Sequence, residues 1–518
     1  MKKDPVSVDI VLSPKAASEE TEVRAAAALA AKLDPDDVKG VRIAKRSIDA
    51  RSRSPRMQLR VELSTTAPFD PPRTTPPELP NVSGKPHVVI VGAGPAGLFA
   101  ALRAIELGLC PIVLERGKDV RARRRDLAAI TQRGIVDPDS NYCFGEGGAG
   151  TYSDGKLYTR SGKKESIARI LATFVAYGAS PEILVDAHPH IGTNKLPEII
   201  TAMREAILRA GGEVRFDARV TELALDGDRI RGVKLRDGTT VDTTRVVLAT
   251  GHSARDIFEM LAAQKIAIER KDFALGVRVE HPQLVVDEAR YHTKDRGEYL
   301  PPASYSEVAQ VDGLGVYTFC MCPGGIVAPC ATAPGEIVTN GWSPSKRNNP
   351  FANAGVVVEV KGPQGDGGPL SGVAYQRAVE VKAWEAGGRT QVAPGQRLVD
   401  FCEGHLSASL PGSSYPPGLA SARVDQVLPP EISQRLQQAL RVFGKRMRGF
   451  FSNDAVVIAV ESRTSSPVRI PRDPATLEHP GVHGLFPCGE GAGYAGGIVS
   501  AAIDGERVME HLHALYPA

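Results

Sequence analysis

The sequence has 518 residues, of which 42% are hydrophobic and 24% are charged, and its formal net charge is +3. At about 150 residues per domain this length predicts two to four domains. The balanced charge argues against a strongly basic nucleic-acid-binding protein, and no apolar stretch approaches the roughly 18 residues of a membrane span. Residues 1–10 lack the apolar core of a signal peptide, and the seven scattered cysteines do not suggest a disulfide framework. We therefore predict a reduced, cytoplasmic protein.

The N-terminal residues predict a small α/β domain followed by a linker. Apolar alternation and an alanine-rich stretch indicate three strands and one helix, at Val6–Leu12, Val41–Ile48, Met57–Leu63 and Glu19–Leu33. Seven lysines and arginines between Arg42 and Arg60 make this domain locally basic. A polyanion-binding surface or a solvated strand face explains this charge, and the lack of interleaved aromatic residues favours the solvated face. Six prolines between Pro68 and Pro80 then predict an extended linker.

A glycine turn between a buried strand and a helix organises the next domain. Val88–Val91 is a run of four branched apolar residues that predicts a fully buried strand. Three glycines follow on the G-x-G-x-x-G spacing, and a proline begins the helix. In dinucleotide folds these glycines permit the turn, the approach of a pyrophosphate and the packing of helix on strand. The predicted cofactor contacts are Gly92, Gly94, Pro95, Ala96 and Gly97.

A second apolar strand carries an acidic residue at the position expected for ribose recognition. The strand at 111–116 contains Glu115, which lies 18 residues after Gly97. A carboxylate at this place accepts hydrogen bonds from the hydroxyl groups of an adenosine ribose. Glu115 and its neighbour Arg116 are therefore predicted to contact the adenosine half of a dinucleotide.

A basic helix and a glycine-rich loop follow. The arginines within Val120–Asp126 either contact cofactor phosphates or form a solvated helix face. The next loop has five glycines from Gly145 to Gly155, and this density lets a ligand lie against the backbone. The predicted cofactor contacts of the loop are Gly147, Gly148, Ala149 and Gly150.

Further along the chain, two helices precede a β-rich region. The helices are predicted at Lys164–Tyr177 and Leu196–Ala210, and a three-stranded meander at Glu213–Leu225, Ile230–Leu235 and Thr240–Leu248. Val220, on the first of these strands, and Gly251, after the third, are further predicted cofactor contacts. His188 and His190 are close in sequence, but no third ligand is evident, so no metal site is predicted.

Residues 256–479 predict an inserted substrate domain. Strands are expected at Phe273–Glu280 and Val316–Met321, and helices at Ala374–Glu385 and Glu431–Met447. Cys320 and Cys322 occupy alternate positions of one strand, so both thiols would point to the same face. They are either a redox pair or two buried thiols that act as small hydrophobic groups.

The C-terminal segment repeats the opening pattern of strand, glycine turn and helix. Its turn contains the acidic residue Glu490, which can accept a hydrogen bond from a cofactor hydroxyl. Positive dipole at the N-terminus of the last helix would stabilise an anionic reduced flavin. The predicted contacts in this segment are Gly489, Glu490, Gly496, Gly497 and Ile498.

The spread of these glycine segments indicates the cofactor. The segments are spread from Gly92 to Gly497, as expected when one long ligand spans the whole domain. FAD is such a ligand, and we therefore predict FAD. No second G-x-G-x-x-G follows a strand, so NAD(P)H would bind only transiently, or the substrate itself would donate the hydride. Lys156 would then lie near the flavin, bind an acidic substrate, or remain on the surface.

The same segments resemble known families. Residues 92–97, 115, 249–251 and 488–490 resemble the glutathione-reductase-like flavoproteins with two dinucleotide folds. Residues 141–157, 319–325, 461–473 and 487–498 are similar to a bacterial and plastid family of poorly characterised FAD-dependent dehydrogenases. The second resemblance extends from about residue 45 to the C-terminus. It implies an FAD domain assembled from separated segments, plus an inserted substrate domain.

The predicted fold class is therefore α/β. It comprises a Rossmann-like FAD-binding domain with a three-stranded β-meander, an inserted α+β substrate domain and a small N-terminal α/β domain. The predicted boundaries are 1–64 for the N-terminal domain, 65–85 for the linker, 86–255 and 480–518 for the FAD-binding domain, and 256–479 for the substrate domain.

Three functions fit these predictions. The first is an FAD-dependent dehydrogenase or reductase that acts on a small organic substrate, with Lys156, Cys320 and Cys322 as candidate catalytic residues. The second is a flavin monooxygenase that consumes oxygen and NAD(P)H. The third is a flavoprotein whose basic N-terminal domain binds a polyanion such as RNA. The first is preferred because the flavin segments are complete and no aromatic-rich RNA platform is evident.

Overall fold

The computed structural model describes residues 5–159, 162–362, 365 and 367–517. Residues 1–4 of the predicted N-terminal domain and residue 518 of the predicted C-terminal segment lie outside this range. Mixed α/β architecture with a parallel sheet is confirmed. None of the described helices is both long enough and apolar enough to cross a bilayer.

The N-terminal unit is an antiparallel sheet covered by one helix. Its strand order is β1–β3–β2, and its elements are β1 (Val6–Leu12), α1 (Glu20–Ala31), β2 (Gly40–Asp49) and β3 (Arg56–Ser64). Leu59 and Val61 of β3 pack beneath α1, whereas Arg60 between them is exposed. Arg60 pairs with Asp9 at 2.9 Å and Arg42 pairs with Glu62. These pairs neutralise part of the basic face that the sequence indicates.

A five-stranded parallel sheet forms the framework of the next unit, in the order β22–β10–β4–β5–β6. Its strands β4 and β5 are buried almost throughout, as expected for a sheet that is covered on both faces. The elements up to the last strand of this unit are β4 (His87–Val91), α2 (Pro95–Glu106), β5 (Cys110–Leu114), α3 (Val120–Arg133), α4 (Lys164–Ala176), α5 (Leu196–Arg209), β6 (Glu213–Arg215), β7 (Val220–Asp226), β8 (Arg229–Leu235), β9 (Thr240–Asp242) and β10 (Val246–Leu248).

The meander has different bounds from those predicted. Strands β7, β8 and β9 form it, whereas β6 pairs with β5 and β10 pairs with β4 and β22 in the parallel sheet. The predicted strand Glu213–Leu225 is therefore two strands, and Asp217 between them has a left-handed φ of 54°. The predicted strand Thr240–Leu248 is likewise two strands. No glycine or proline marks either break, so the sequence offered no turn signal.

The region after β10 contains a seven-stranded mixed sheet in the order β13–β14–β17–β12–β20–β18–β19. Phe443 and Phe450 are fully buried against it with Val456 and Ile458 of β20. Helix α6 spans residue 255, where the sequence predicts a domain boundary. The elements are α6 (Arg255–Ala263), β11 (Glu269–Arg270), β12 (Phe273–Pro282), α7 (Gln283–Tyr291), β13 (Val308–Val311), β14 (Leu314–Cys322), β15 (Ile326–Pro329), β16 (Thr339–Trp342), β17 (Phe351–Val360), α8 (Ser371–Ala386), β18 (Ala393–Arg397), α9 (Leu398–Glu403), β19 (Leu419–Ser421), α10 (Val424–Val427), α11 (Pro430–Arg446), β20 (Val456–Glu461) and β21 (Val468–Arg469).

The chain then returns to the parallel sheet with β22 (Leu485–Pro487) and ends in helix α12 (Ile498–Leu515). Helix α12 lies close to α2, since a Cβ on Gly505 would come within 2.1 Å of the Ala96 carbonyl oxygen. The carboxyl ends of β4, β5, β10 and β22 share one edge of the sheet because these strands are parallel. Ligands of open parallel sheets bind beyond that edge.

Candidate active site

A cavity of about 790 Å³ lies at this edge and extends to strand β14. Most of the predicted site residues line it: Gly92, Gly94, Pro95, Ala96, Glu115, Arg116, Gly148, Ala149, Gly150, Val220, Gly251, Glu490, Gly496, Gly497 and Ile498, together with Lys156 and Cys320. Gly97, Gly147, Gly489 and Cys322 are not among its lining residues. Segments far apart in sequence therefore meet around one space.

The three glycines of the first turn have different roles. A Cβ on Gly92, whose φ is 106°, would lie 2.4 Å from the Ala249 carbonyl oxygen, and a Cβ on Gly97 would lie 1.9 Å from the Gly92 oxygen. Both glycines are therefore needed for packing. Gly94 is different, because the nearest protein atom to its Cβ would be 4.0 Å away. Gly94 leaves space in the cavity beside the start of α2, whose exposed amide dipoles favour an anion.

Glu115 lines the cavity and also holds three backbone segments together. Its carboxylate accepts hydrogen bonds from the amides of Ala93 at 2.9 Å, Gly117 at 3.0 Å and Gly145 at 2.9 Å. These amides belong to the first glycine turn, to the turn after β5 and to the glycine-rich loop. Glu115 thus fixes the loop on the turn at the cavity wall, and its carboxylate, which has about four acceptor sites, retains one beyond these three bonds.

Arg116 lies in the same wall, in a group of three arginines, with Arg219 and Arg236, that share the carboxylates of Asp139 and Asp256. Its guanidinium bonds Asp139 and Asp256, each at 2.7 Å, and stacks over the Phe144 ring at 4.2 Å. This arginine group has one more positive charge than its two carboxylates balance.

Arg123 is a site residue that sequence reasoning missed. Its side chain is fully buried and donates hydrogen bonds to four carbonyl oxygens of the glycine-rich segment, those of Asn141, Tyr142, Glu146 and Gly148, at 2.8–3.0 Å. The basic cluster on α3 was predicted to contact phosphates or solvent, and Arg123 does neither. The signal was present, because Arg123 shares the buried helix face of Val120, Leu127 and Ile130 at spacings of three and four residues.

Gly147 and Gly489 contribute to packing rather than to the cavity wall. The Gly147 amide donates to the Ala93 oxygen at 2.9 Å, which joins the loop to the first turn. The Gly489 amide donates to Asp504 of α12 at 2.8 Å, and Arg472 pairs with the same carboxylate at 2.7 Å. Both glycines therefore shape the turns whose neighbours reach the cavity.

The C-terminal turn presents its backbone and one carboxylate to the cavity. A Cβ on Gly496 or Gly497 would meet no protein atom within 4 Å, so both leave open space before helix α12. Among the described residues, no side chain caps this helix. Glu490 lies nearby, with an oxygen 3.4 Å from Nδ1 of His252.

Lys156 faces the cavity in a cluster of three charged groups, in which its own side chain is 37% exposed and Asp154 is buried. Its Nζ is 3.2 Å from an oxygen of Asp154, which also pairs with Arg347 at 2.8 Å. Although desolvation opposes ionisation of the Asp154 carboxyl, the two cations hold its pKa well below the usual range. Desolvation likewise opposes the charge of Lys156, but Asp154 raises the pKa of its ammonium group. The cluster thus combines two cationic side chains with one carboxylate.

The two cysteines of β14 differ in exposure, although both sulfur atoms lie within 4 Å of Nζ of Lys156. Cys320 lines the cavity, whereas Cys322 is fully buried. Cys320 has a left-handed φ of 44°, and the pairing register with β17 shifts between Phe319 and Cys322. This bulge interrupts the regular strand between the two cysteines.

Comparison with known proteins identifies the family. Residues 190–349 match the family described as FAD dependent oxidoreductase, residues 272–464 match FAD-dependent protein, C-terminal domain-like, and residues 5–64 match a domain of unknown function, DUF8436. An uncharacterized protein of Clostridium beijerinckii (strain ATCC 51743 / NCIMB 8052) is 39% identical over 433 residues, which cover 83% of this chain and 81% of that protein. The chain belongs to the FAD-dependent oxidoreductases.

The solved structures that match this oxidoreductase are more distant from it in sequence. CtdE in complex with FAD is 13% identical, with a TM-score of 0.31 over 83% of this chain and 85% of that chain. The halogenase PltM is 11% identical, with a TM-score of 0.39 over 83% of this chain and 70% of that chain. Likeness at this level adds nothing about the activity of this oxidoreductase.

The cavity of this FAD-dependent oxidoreductase fits its family's cofactor. Its volume of about 790 Å³ lies within the range of cofactor sites. The open positions at Gly94, Gly496 and Gly497 are places where a side chain would fill ligand space without touching the protein. Glu115 supplies the acceptor that a ribose requires.

The adjacent histidines do not form a metal site in the part of the chain that the structure describes. Nε2 of His190 lies 3.2 Å from the Ser345 oxygen, and burial with the charge of Arg347 lowers the His190 pKa to about 4. No group of three or more potential ligands comes together among the described residues. The lack of a metal cofactor remains a prediction.

Proposed function

We propose that this chain binds FAD along the cavity and transfers a hydride between the flavin and a small organic substrate or NAD(P)H. One observation carries the proposal: a single cavity is lined by the turn at Gly94, by Glu115, by Gly496 and Gly497, and by Lys156. FAD supplies the two-electron chemistry that side chains lack. The protein contributes binding, orientation and charge.

The proposed contacts follow the chemistry of the cofactor's parts. The backbone at Gly94 and the start of α2 would hold the pyrophosphate, and Glu115 would accept from the adenosine ribose. The uncapped start of α12, after Gly497, directs positive dipole into the cavity. That dipole would favour the negative charge of a reduced flavin and so raise the flavin's reduction potential.

The substrate class follows from the charge cluster beside the cavity. Lys156 and Arg347 together exceed the charge of Asp154 by one unit, and Lys156 lines the cavity beside Asp154. A cation that lines a cavity in this way can form a charge-assisted hydrogen bond with an anionic group. We therefore propose a small organic anion, such as a carboxylate, as the substrate, with Lys156 as its anchor.

The proposal is tested by cofactor analysis followed by an anaerobic screen. The purified protein should contain FAD at close to one equivalent, and NADH, NADPH or a carboxylate-bearing metabolite should bleach the flavin absorbance. A protein that neither contains nor takes up flavin would refute FAD binding. Oxygen uptake coupled to a hydroxylated product would instead identify a monooxygenase and contradict the dehydrogenase proposal.

A further inference from the structure

Two thiols and two cations, of which Arg278 is buried, converge where β14 meets the cavity. Nζ of Lys156 lies 3.9 Å from Sγ of Cys320 and 3.6 Å from Sγ of Cys322. Nη2 of Arg278, which is fully buried, lies 3.7 Å from Sγ of Cys322. The two cysteine side chains are also close enough to form a hydrogen bond with each other.

This environment differs from that of a cysteine that only packs. Burial raises the pKa of the Cys402 thiol to about 12, as expected for a thiol in an apolar core. At Cys320, a hydrogen bond with the Cys322 thiol, opposed by desolvation and assisted by the charges of Lys156 and Arg278, lowers the pKa well below the usual range. The pKa of Cys322 is raised by burial and by its neighbour. One sulfur of the pair is thus prepared as a thiolate and the other as a thiol.

The backbone holds the two sulfurs in unequal positions. Arg278 is anchored by an ion pair with Glu461 at 2.7 Å and donates to the Cys320 carbonyl oxygen, which fixes the bulge. The left-handed φ of Cys320 costs energy for a residue other than glycine, and such strain concentrates at functional sites. Cys320 is left accessible from the cavity, while Cys322 is shielded behind it. This asymmetry is what an exchanging thiol and a resolving thiol require.

We propose that Cys320 and Cys322 form a redox-active dithiol–disulfide couple that exchanges two electrons with the flavin. This inference rests on the FAD binding proposed above. The disulfide accepts two electrons and one proton from the anionic reduced flavin, which is left oxidised. The bond between the two sulfurs breaks, Cys320 leaves as the thiolate beside Lys156, and Cys322 retains the proton as the thiol. The reverse step returns the electrons to oxidised flavin.

The holoenzyme is tested by an anaerobic reductive titration with dithionite after mild oxidation. The wild-type enzyme should take up four electrons per FAD, two for the flavin and two for the disulfide. Cys320→Ser and Cys322→Ser should each take up two, and Cys402→Ser, a buried thiol outside the cavity, should still take up four. Uptake of two electrons by the wild-type holoenzyme would overturn the couple while leaving FAD binding intact.

The apoprotein gives a second readout that does not depend on the flavin. Diamide treatment should join Cys320 to Cys322, seen by peptide mass spectrometry as one linked species that is lost in either serine variant. Iodoacetamide should modify Cys320 at least ten times faster than Cys402, and Lys156→Met should slow that reaction. Failure to form the disulfide, or alkylation of Cys320 no faster than that of Cys402, would overturn the proposal. A protein without FAD that still forms the disulfide would refute FAD binding alone.

Discussion

Replacement of Gly94 by valine tests whether the first glycine turn binds the cofactor. At this position a Cβ has no protein neighbour closer than 4.0 Å, and the φ of −75° is accessible to any residue. The side chain would therefore enter the cavity without disturbing the packing of β4 and α2. We expect the apoprotein to keep its stability within about 0.5 kcal/mol, as for substitutions that break no contact.

The expected loss of FAD affinity converts into a measurable change in melting temperature. With free FAD at 100 times its Kd, the wild-type protein gains about 2.7 kcal/mol of unfolding free energy. For a domain of about 150–250 residues, the size predicted for the FAD-binding domain, that gain raises the Tm by about 5–10 °C. If Gly94→Val weakens binding at least 100-fold, the same FAD concentration adds only about 0.4 kcal/mol and about 1 °C. Thermal scans with and without FAD, together with the FAD content after gel filtration, measure both quantities.

Two further glycine variants make the result interpretable. Gly412→Val is the matched control, because this exposed glycine lies outside the cavity and its Cβ would meet only Phe351, at 3.6 Å. Gly412→Val should show the same FAD-induced rise in Tm as the wild-type protein. Gly92→Ala should instead destabilise the apoprotein, because its Cβ would lie 2.4 Å from a carbonyl oxygen. Wild-type FAD affinity in Gly94→Val would refute the assignment of this turn to the pyrophosphate.

Three other substitutions probe the rest of the site and the fold. Arg123→Met removes the donors to the buried carbonyls of the glycine-rich loop, including that of Gly148. It should lower the free energy of urea unfolding by at least about 3 kcal/mol and reduce the FAD content. Unchanged values would contradict the proposal that Arg123 holds this loop in place. Lys156→Met should raise the KM for an anionic substrate about 10- to 100-fold with a smaller effect on kcat, and an unchanged KM would exclude Lys156 as the anchor. Burial raises the pKa of Glu506 to about 7 although Arg169 opposes the shift, so the folded state binds the proton more tightly than the unfolded state. The protonated Glu506 carboxyl therefore stabilises the folded state fully below pH about 4.5, and this stabilisation is lost as the pH rises to about 7. Glu506→Gln should flatten the dependence of the free energy of unfolding on pH in this range. An unchanged pH dependence would refute the raised pKa of Glu506.

The first glycine turn was predictable because its requirements are local. The spacing of Gly92, Gly94 and Gly97 after an apolar strand reflects backbone contacts within a few residues, and the position of Glu115 follows from one βαβ unit. The motif assigns the approach of a pyrophosphate to the second glycine, and Gly94 is the one of the three whose Cβ would have no protein atom closer than 4.0 Å. The sequence could not show the close contact of Gly92 with Ala249, a residue more than 150 positions further along the chain.

Errors arose where tertiary pairing overrode local pattern. The continuous β pattern of Glu213–Leu225 gave no reason to divide it, yet its first residues complete the parallel sheet and its last residues begin the meander. The strand pattern also gave no sign of the bulge at Cys320, because the contact that holds it comes from Arg278 on another strand. Arg123 is a different case. The helical periodicity of α3 places it on the buried face, whereas its charge suggested contact with phosphates or with solvent. Periodicity is the better guide there.

The two proposals together link the charge of the site to its redox state. With the cysteines joined as a disulfide, Lys156, Asp154 and Arg347 leave one uncompensated positive charge beside the cavity. Reduction of the disulfide creates a thiolate at Cys320, about 4 Å from Lys156, and this negative charge compensates the excess. An organic anion would therefore bind more tightly to the oxidised couple than to the reduced one, because only the oxidised couple leaves Lys156 without a second anionic neighbour. Binding and redox state are then coupled reciprocally: a bound anion stabilises the disulfide and lowers its reduction potential. The cation that anchors the substrate would thus also regulate the thiols behind it.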